Sequence, residues 1–454
     1  MADMHSYTDE IDRLADEIIN LARWRTRLEP IPLGRPAKPA DLARAAGRTI
    51  TEAGIGGHEA LRIFRDVLAP ACLSPDFTRY LAFVPAAPTE IAVLFDLVVA
   101  AFSIYGGSWV EGGGAVHAEN EALRWIADLA GMPPEAGGCF VAGGTLGNLS
   151  ALVTARHEAG LRRSPEHPRP ARWAIAATAA AHSSVASAAQ VMDADMVEVP
   201  ADSRGRLSGP GLSEVLEREG ERIFAVVATT GTTNIGLIDD LATVGPLCRE
   251  RGVWLHVDGA YGGAALAASS CRPAFAGIEN ADSFIVDPHK WLFSPFDCCA
   301  LLYRAPEAAR RVHGHHAPYL EILSEQGEWN PSDYAVHLTR RARGLPFWFS
   351  LATHGTAAYE QAIETSLVVA RDAAEEIRCR SYLELVMEPS LSIVVFRRRG
   401  WERTDYRVWS ERMLMEGEAF VVPTTHEGES VLRLCIVNPR TTRQDIALIL
   451  DSLA

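Results

Sequence analysis

Short β-rich runs alternate with helical stretches between about residues 76 and 335, and this alternation constrains the fold more than any other feature. Helical patterns lie between the runs, for example at 119–129 and 146–157. The runs are RWAIAAT (172–178), IFAVVATT (223–230), VWLHVD (253–258), SFIVD (283–287) and CCALLY (298–303). Such alternation favours an α/β fold with a largely parallel sheet that is buried on both faces.

The flanking regions have different patterns. Residues 1–75 predict helices broken by the proline-rich connector EPIPLGRPAKPAD, without a catalytic motif. Residues 336–454 predict a helix, the strand LSIVVFRRR, another helix and the strand VLRLCIV, which is typical of a small α+β domain. Because 454 residues exceed one ordinary compact core, we expect three parts: 1–75, a large domain at 76–335, and 336–454.

Composition excludes several classes of protein. A net charge of −15 argues against a surface for nucleic acid or anionic membrane. The longest apolar runs, such as 91–102, are too short to span a bilayer, and the acidic helical N-terminal pattern does not resemble a signal peptide. The eight cysteines are scattered without a CxxC pair, which favours reduced core thiols in a cytoplasmic protein and no metal site.

Chemically active side chains are concentrated where the predicted strands end. Asp258 ends VWLHVD, Lys290 follows SFIVD, and a Gly-Gly-Thr turn at 143–145 begins a helix, where free backbone N–H groups favour an anion. Each has an ordinary structural explanation as well: a turn aspartate, a solvated charge at the rim, a helix start. His182, among small residues, is also typical of a packed core histidine. In an α/β sheet, however, all of them come to the edge where ligands bind.

One cofactor, pyridoxal 5′-phosphate (PLP), requires this whole set of groups. Its aldehyde needs a lysine amine, its pyridine nitrogen needs a carboxylate, and its phosphate suits the start of a helix. Lys290 lies between apolar neighbours, and poor solvation favours the reactive amine over the ammonium.

The motifs resemble those of the group II PLP-dependent decarboxylases, which act on aromatic amino acids, histidine or glutamate. FDCCALLY and RGLPFWF are most similar to the aromatic-L-amino-acid branch. The resemblance rests on AGGTLGN (142–148), AHSSV (181–185), ATTGTT (228–233), WLHVDGAYGG (254–263), ADSFIVDPHKWL (281–292), APYLE (317–321) and LRLCIVNPRTT (432–442). It implies fold type I, with a mostly parallel seven-stranded sheet and helices on both faces. It also implies a homodimer with active sites at the interface, in which residues 1–75 clamp the partner.

The resemblance also implies a role for each matching residue. Catalysis is assigned to Lys290 as the Schiff-base lysine, Asp258 as the partner of the pyridinium, His182 stacked on the ring, and Tyr319 as the proton donor. Cofactor contacts are assigned to Gly144, Thr145 and His289 at the phosphate, to Ala260 on the second ring face, and to Thr233. Substrate would form an external aldimine and lose carbon dioxide to leave a quinonoid, which Tyr319 protonates.

The implied substrate is an aromatic or bulky hydrophobic L-amino acid, which would give the amine. Phe83, Val84, Pro85 and Trp109 are the candidate pocket lining, and Ala86 replaces a hydroxyl that is frequent in the aromatic branch. Three alternatives stay open: another PLP chemistry on the same fold (an aldehyde synthase, an aminotransferase or another lyase), a decarboxylase for glutamate or 2,4-diaminobutyrate, and a pseudoenzyme that binds a partner.

Two positions depart from the family pattern. Asp287 stands where the aromatic branch has asparagine; because a phosphate would repel it, we expect it to turn to another donor, outside the site. Arg440 matches a family arginine near the active site, in a segment one residue longer than usual.

Overall fold

The computed structural model describes residues 4–315 and 328–454. The helices are α1 (Asp9–Thr26), α2 (Pro39–Ala46), α3 (Gly57–Ile63), α4 (Glu90–Phe102), α5 (Trp109–Leu129), α6 (Gly144–Leu161), α7 (Ser183–Val191), α8 (Gly209–Glu219), α9 (Leu241–Arg251), α10 (Glu307–His313), α11 (Leu345–His354), α12 (Thr356–Arg378), α13 (Arg403–Glu416) and α14 (Arg443–Asp451). The strands are β1 (Gly137–Val141), β2 (Ala174–Ala177), β3 (Asp195–Glu198), β4 (Ile223–Thr229), β5 (Trp254–Asp258), β6 (Ser283–Val286), β7 (Cys299–Tyr303), β8 (Leu383–Leu385), β9 (Ile393–Arg398), β10 (Pro423–His426) and β11 (Glu429–Cys435).

The larger sheet has seven strands in the order β1-β7-β6-β5-β4-β2-β3. Neighbouring strands from β6 to β3 are parallel, and β7 runs antiparallel to both β1 and β6. The prediction of a mostly parallel α/β sheet of fold type I is therefore confirmed.

Both faces of this sheet are covered. Along β4, Ala225 and Val227 pack into the core that contains residues of α6, whereas Val226 and Ala228 pack into the core that contains residues of α9. Every residue of β4 is buried. A strand that is covered on both faces needs no polar alternation, which explains the continuous apolar run in its sequence.

The smaller sheet is antiparallel, in the order β10-β11-β9-β8. Helices α12 and α14 pack against each other beside it. The chain near Leu81 joins this sheet through its backbone, because the Leu81 N–H donates to Phe420 O at 2.9 Å and Leu81 O accepts from the Cys435 N–H at 3.0 Å. The sheet thus fixes the segment that carries Phe83 and Val84. The division at residues 75 and 335 stays a prediction.

Two strands of the larger sheet, β1 and β3, and two strands of the smaller sheet, β8 and β10, were not expected from the sequence. β1 begins with Gly137 and Gly138, residues that are depleted in strands. β3 is an edge strand in which only Val197 is buried, so it lacks the apolar run that marks the central strands. Within residues 4–315 and 328–454, no helix is both long and apolar enough to cross a membrane.

Candidate active site

A cavity of about 600 Å³ lies where the carboxyl edge of the larger sheet meets the smaller sheet. Thr229 and Asp258 end β4 and β5 and line it, and Asp287 follows β6 directly. Pro423 and Arg433 reach it from the smaller sheet. Ligands of parallel α/β sheets bind at this edge, and the volume is typical of a small-molecule site.

Lys290 lies in this cavity and is paired with an aspartate of its own turn. Its Nζ is 2.8 Å from Oδ2 of Asp287, and the lysine side chain is only 24% exposed. Burial opposes the ammonium, but the Asp287 carboxylate raises the pKa of Lys290 above its ordinary value. Burial would also raise the pKa of Asp287, yet Lys290 and His289 hold that pKa below its usual range.

This position corrects one expectation. Asp287 does turn to another donor, Lys290, but it lies inside the site and lines the cavity. The reason is the short Asp-Pro-His-Lys turn, which starts at the end of β6 and keeps positions i and i+3 together.

Asp258 is held by two donors. Asn148 Nδ2 donates to its Oδ2 at 2.8 Å, and the Ala260 N–H donates to its Oδ1 at 3.0 Å. The residue is only 4% exposed. A carboxylate oxygen can accept more than one hydrogen bond, so Asp258 can still accept from a ligand N–H in the cavity that it lines.

The start of α6 forms an open cradle beside these charges. Gly143, at the N-cap, has no side-chain capping bond, and Gly144 and Thr145 line the cavity. A Cβ on Gly144 would lie 3.3 Å from Cβ of Ala260 and 3.3 Å from Oδ2 of Asp287. Glycine therefore keeps this space free, and the uncapped helix start favours an anion there.

Three other expected residues also line the cavity: His182, His289 and Thr233. Nδ1 of His182 lies 2.8 Å from Oγ of Ser184 and accepts the Ser184 N–H at 3.2 Å. Nδ1 of His289 lies 2.6 Å from the carbonyl oxygen of Cys298. Burial lowers the pKa of His289, which favours the neutral imidazole.

Phe83 and Val84 line the cavity as expected, and an arginine joins them. Phe83 has a positive φ of 53°, and its carbonyl oxygen accepts from Nη2 of Arg433 at 2.8 Å. Arg433 is 6% exposed, and its Nε has no hydrogen-bond partner among the described residues. Arg433 lines the cavity, and a guanidinium in such a position is suited to a carboxylate ligand.

Two expected pocket residues lie elsewhere. Among the residues that the structure describes, Pro85 and Trp109 are not part of the cavity lining. Pro85 is buried within the protein, beyond the turn that the positive φ of Phe83 produces. Trp109 begins α5, which packs against α11 on another part of the molecule.

Arg440 is also absent from the described lining of this cavity. It pairs with Glu29 and, like Ala86, lines a second cavity of about 660 Å³. The arginine of the active-site cavity is instead Arg433, seven residues earlier. Tyr319 falls outside the described residues.

Four residues that shape the site were not predicted as site residues from the sequence: Asn148, Ser184, Asp287 and Arg433. Two of them carried a visible signal. Arg433 interrupts an otherwise apolar strand, and Asp287 stands three residues before the lysine. A polar or charged residue within a buried element is uncommon unless it has a partner.

The residues present fit PLP. The open cradle at Gly144 suits a phosphate, Asp258 has acceptor capacity for a pyridinium N–H, and the Lys290 amine shares the same cavity. The small side chain of Ala260 leaves room beside the cradle.

Comparison with known proteins agrees with this fit. Residues 58–399 match the family model described as the pyridoxal-dependent decarboxylase conserved domain. The chain is 30% identical over 417 residues to the aromatic-L-amino-acid decarboxylase of Bacillus atrophaeus, with 88% of this chain and 86% of that protein covered. It is 31% identical over 384 residues to the L-2,4-diaminobutyrate decarboxylase of Rhizobium meliloti (strain 1021), with 80% and 74% covered. The crystal structure of Oryza sativa TDC with PLP and tryptamine aligns with a TM-score of 0.91 at 23% identity, covering 100% of this chain and 99% of that one.

Fold and site together define a PLP-dependent enzyme of fold type I. Within that class the chain belongs to the pyridoxal-dependent decarboxylase family. It is accordingly a carboxy-lyase that acts on an amino acid and uses pyridoxal 5′-phosphate.

Proposed function

We propose that this enzyme decarboxylates an aromatic or bulky hydrophobic L-amino acid and releases the amine and carbon dioxide. The observation that carries the proposal is the lining of the cavity around Lys290, which offers a buried arginine and a set of apolar side chains. The larger apolar members include Phe83, Val84, Tyr261, Phe296 and Val422. One carboxylate and one apolar side chain are what such a lining accommodates best.

A substrate with a charged side chain finds less support in this lining. Asp297 lines the cavity but is 46% exposed, and its Oδ1 lies 3.4 Å from Nε of Arg343. A second ammonium, as in 2,4-diaminobutyrate, would compete with Arg343 for that carboxylate. A second carboxylate, as in glutamate, would need another cation besides Lys290 and Arg433.

We assign the cofactor contacts as follows. Gly144, Thr145 and His289 would hold the phosphate, Asp258 would face the pyridine nitrogen, and Lys290 would hold the aldehyde carbon. Ala260 and His182 would lie on the two ring faces, and Thr233 would contact the cofactor from the turn after β4. When bound, the cofactor supplies an electron sink for the pair left on Cα as carbon dioxide departs.

The protein's own residues then bind and orient the substrate. The Arg433 guanidinium would attract the substrate carboxylate, and the His182 imidazole would contact the same group. Orientation decides which bond to Cα breaks, because only a bond perpendicular to the cofactor ring can release its electrons into it. Both oxygens of Asp258 accept hydrogen bonds, which would hold the carboxylate in a fixed orientation toward the ring nitrogen of a bound cofactor.

Tyr319 completes the proposal as the proton donor to Cα. A phenol that protonates Cα promptly gives the amine, whereas a carbanion left unprotonated can react with oxygen to give aldehyde, ammonia and peroxide. The second outcome defines the alternative function, an aldehyde synthase.

One assay separates these functions. Purified enzyme with PLP is given L-phenylalanine, L-tyrosine, L-tryptophan, L-leucine, L-glutamate and L-2,4-diaminobutyrate, and carbon dioxide, amine, peroxide and ammonia are measured. The proposal predicts carbon dioxide and amine in equal amounts from the aromatic or bulky substrates, without peroxide. Peroxide in step with carbon dioxide identifies an aldehyde synthase, and release from glutamate or diaminobutyrate alone refutes the hydrophobic substrate. Lys290→Ala is the inactive control, and Tyr319→Phe should increase the peroxide.

A homodimer is the proposed assembly. Leu97, Val98 and Phe102 of α4 are 46%, 42% and 75% exposed, a patch typical of an interface. Light scattering should give twice the 49.3 kDa chain mass, and Phe102→Glu should shift it toward the monomer.

We also propose a cytoplasmic location, because all eight cysteines are free thiols, as a reducing compartment favours.

A further inference from the structure

A continuous chain of buried hydrogen bonds runs from β5 to two of the residues assigned to the cofactor. Trp254 Nε1 lies 2.8 Å from Ser283 Oγ, and Ser283 Oγ lies 2.8 Å from His256 Nδ1. His256 Nε2 lies 2.8 Å from Asn148 Oδ1. Asn148 Nδ2 then lies 2.8 Å from both Asp258 Oδ2 and Ser184 Oγ.

The last step reaches His182, whose Nδ1 is 2.8 Å from Ser184 Oγ. Trp254, Ser283, His256, Asn148 and Ser184 are all buried, so water does not compete for these bonds. Their donors and acceptors must therefore match one another.

The direction of every bond follows from the two ends of the chain. An indole N–H can only donate, so Ser283 Oγ accepts from Trp254 and keeps its own proton for a further bond. Because Asn148 Oδ1 requires a donor at His256 Nε2, Nδ1 of a neutral His256 is unprotonated and accepts that Ser283 proton. Neutral His256 then carries its proton on Nε2 and donates to Asn148 Oδ1. Burial lowers the pKa of His256, which agrees with a neutral ring.

The other end imposes the same direction. Asn148 Nδ2 is the atom that donates to Asp258 Oδ2, so the amide oxygen of Asn148 is the atom that faces His256. The second N–H of that amide donates to Ser184 Oγ, and the Ser184 hydroxyl then donates to Nδ1 of His182. Because Nδ1 also accepts the Ser184 N–H at 3.2 Å, the proton of neutral His182 belongs on Nε2.

We propose that Asn148 is a positioning residue that sets two properties of the active site together: the orientation of the Asp258 carboxylate and the Nε2–H tautomer of His182. His256 and Ser283 supply its orientation. The proposal rests on the function assigned above, in which Asp258 faces the ring nitrogen and His182 contacts the substrate carboxylate. With its proton on Nε2, His182 is a hydrogen-bond donor to that carboxylate rather than a competing acceptor.

The two arms of Asn148 can be separated by substitution. Ser184→Ala removes the hydroxyl that donates to His182 and leaves the bond between Asn148 and Asp258 in place. Asn148→Leu removes both arms. Thr154→Val is the matched control, because it deletes another buried hydrogen-bonding side chain of α6, one that is not part of the hydrogen-bond series from Trp254 to His182.

The first readout is the tautomer itself. In protein labelled with ¹⁵N-histidine, the His182 ring signals are assigned by their loss in His182→Gln, at pH 7.5, with and without PLP. We expect Nε2 protonated and Nδ1 unprotonated in the wild type and in Thr154→Val. In Ser184→Ala and Asn148→Leu the backbone N–H of residue 184 still donates to Nδ1, so we expect the Nε2–H tautomer to stay the major form, with a measurable fraction of the Nδ1–H tautomer that the wild type lacks. A wild-type His182 protonated on Nδ1, or an unchanged tautomer in Ser184→Ala, overturns the proposal.

The second readout is PLP affinity by equilibrium dialysis. Losing a hydrogen bond to a buried charge should weaken binding about tenfold or more in Asn148→Leu, while Ser184→Ala and Thr154→Val bind within about twofold of the wild type. Equal affinity in Asn148→Leu and Thr154→Val overturns the Asp258 arm. Neither readout requires turnover, so a failure of the substrate assay and a failure of this proposal remain distinguishable.

Discussion

Replacing Asp287 by asparagine tests what keeps a charged lysine inside the cavity. The carboxylate lies 2.8 Å from Lys290 Nζ, and Asp287 is only 1% exposed. Burial opposes the ammonium, and Asp287 more than offsets this effect on the pKa of Lys290. Asparagine has almost the same shape but no charge, so Asp287→Asn isolates the electrostatic part of the interaction.

The expected loss of stability can be bounded from two sides. Coulomb's law at 2.8 Å with an effective dielectric constant of about 20 gives an attraction of about 6 kcal/mol. Asparagine keeps an oxygen acceptor, so part of this survives. Deprotonating an ordinary lysine at pH 7 costs about 4.6 kcal/mol. An unpaired Lys290 would give up its proton rather than pay a larger cost for a buried ammonium, so this value is the upper limit on the loss of stability. We therefore expect Asp287→Asn to lower the free energy of unfolding by about 3–5 kcal/mol at pH 7.

The pH dependence supplies the decisive comparison. A raised lysine pKa contributes stability below the unfolded pKa of about 10.4, and this stability is lost only as pH rises through the higher folded pKa. The wild type thus keeps the pair at both pH 7 and pH 9. In Asp287→Asn, neutralising Lys290 becomes cheaper by about 2.7 kcal/mol over that interval, so the difference between the proteins should shrink.

Urea titrations of cofactor-stripped protein at pH 7 and 9, followed by tryptophan fluorescence, measure both quantities. Glu59→Gln is the control, because it removes a carboxylate 2.6 Å from Arg62 on the exposed surface and should leave stability unchanged. A loss below about 1 kcal/mol at pH 7 would refute the reasoning on the buried pair. A loss of equal size at both pH values would refute the neutralisation of Lys290.

Three other predictions concern separate parts of the molecule. Ala260→Val should weaken PLP binding at least about tenfold by equilibrium dialysis without changing the circular dichroism spectrum, because the added methyl groups enter the cradle beside Gly144. Glu119→Gln should lower the free energy of unfolding by about 3–5 kcal/mol in urea, because Glu119 and Arg340 form a buried pair at 2.7 Å with 2% and 1% exposure. Burial lowers the pKa of His256, so the stability that its neutral form contributes is present above about pH 6.5 and is lost as the pH falls below that value. The urea midpoint should therefore drop less between pH 7 and pH 5.5 in His256→Gln than in the wild type.

The sequence was sufficient to find the residues that end strands or begin helices. Asp258, Lys290 and Gly144 each stand at the boundary of an apolar run, and the geometry of a parallel sheet brings such boundaries to one edge. The pattern also predicted the fold class. It did not predict β3, because an edge strand needs no apolar run.

The polar residues that support the site could not be found in this way. Asn148 lies within α6 and His256 within β5, and their hydrogen bond joins positions 108 residues apart. In the sequence, each is a single polar residue in a buried element, for which many partners are possible. Only the packing of α6 against β5 decides that they meet.

The pocket residues show a different limit. Arg433 and Arg440 belong to one motif, and resemblance alone favoured Arg440. Arg433 stands within the strand β11, whereas Arg440 lies beyond it and pairs with Glu29. The location of an arginine inside an apolar strand indicated a buried charge with a specific role, which was better evidence than its place in the motif.

Asp287 shows why residue type must be considered together with spacing. Repulsion between Asp287 and a phosphate depends also on the lysine three residues later, because the turn brings the ammonium of Lys290 to 2.8 Å from the carboxylate. A carboxylate neutralised by an ammonium opposes a neighbouring anion much less than a free one does. That pairing was available from the sequence Asp-Pro-His-Lys. The sequence does not show that Asp287 comes close to Gly144, because that approach depends on how the end of β6 lies against the start of α6. Asp287 therefore lies in the cavity together with its lysine, and this pairing lowers the repulsion that an anion at the start of α6 would meet.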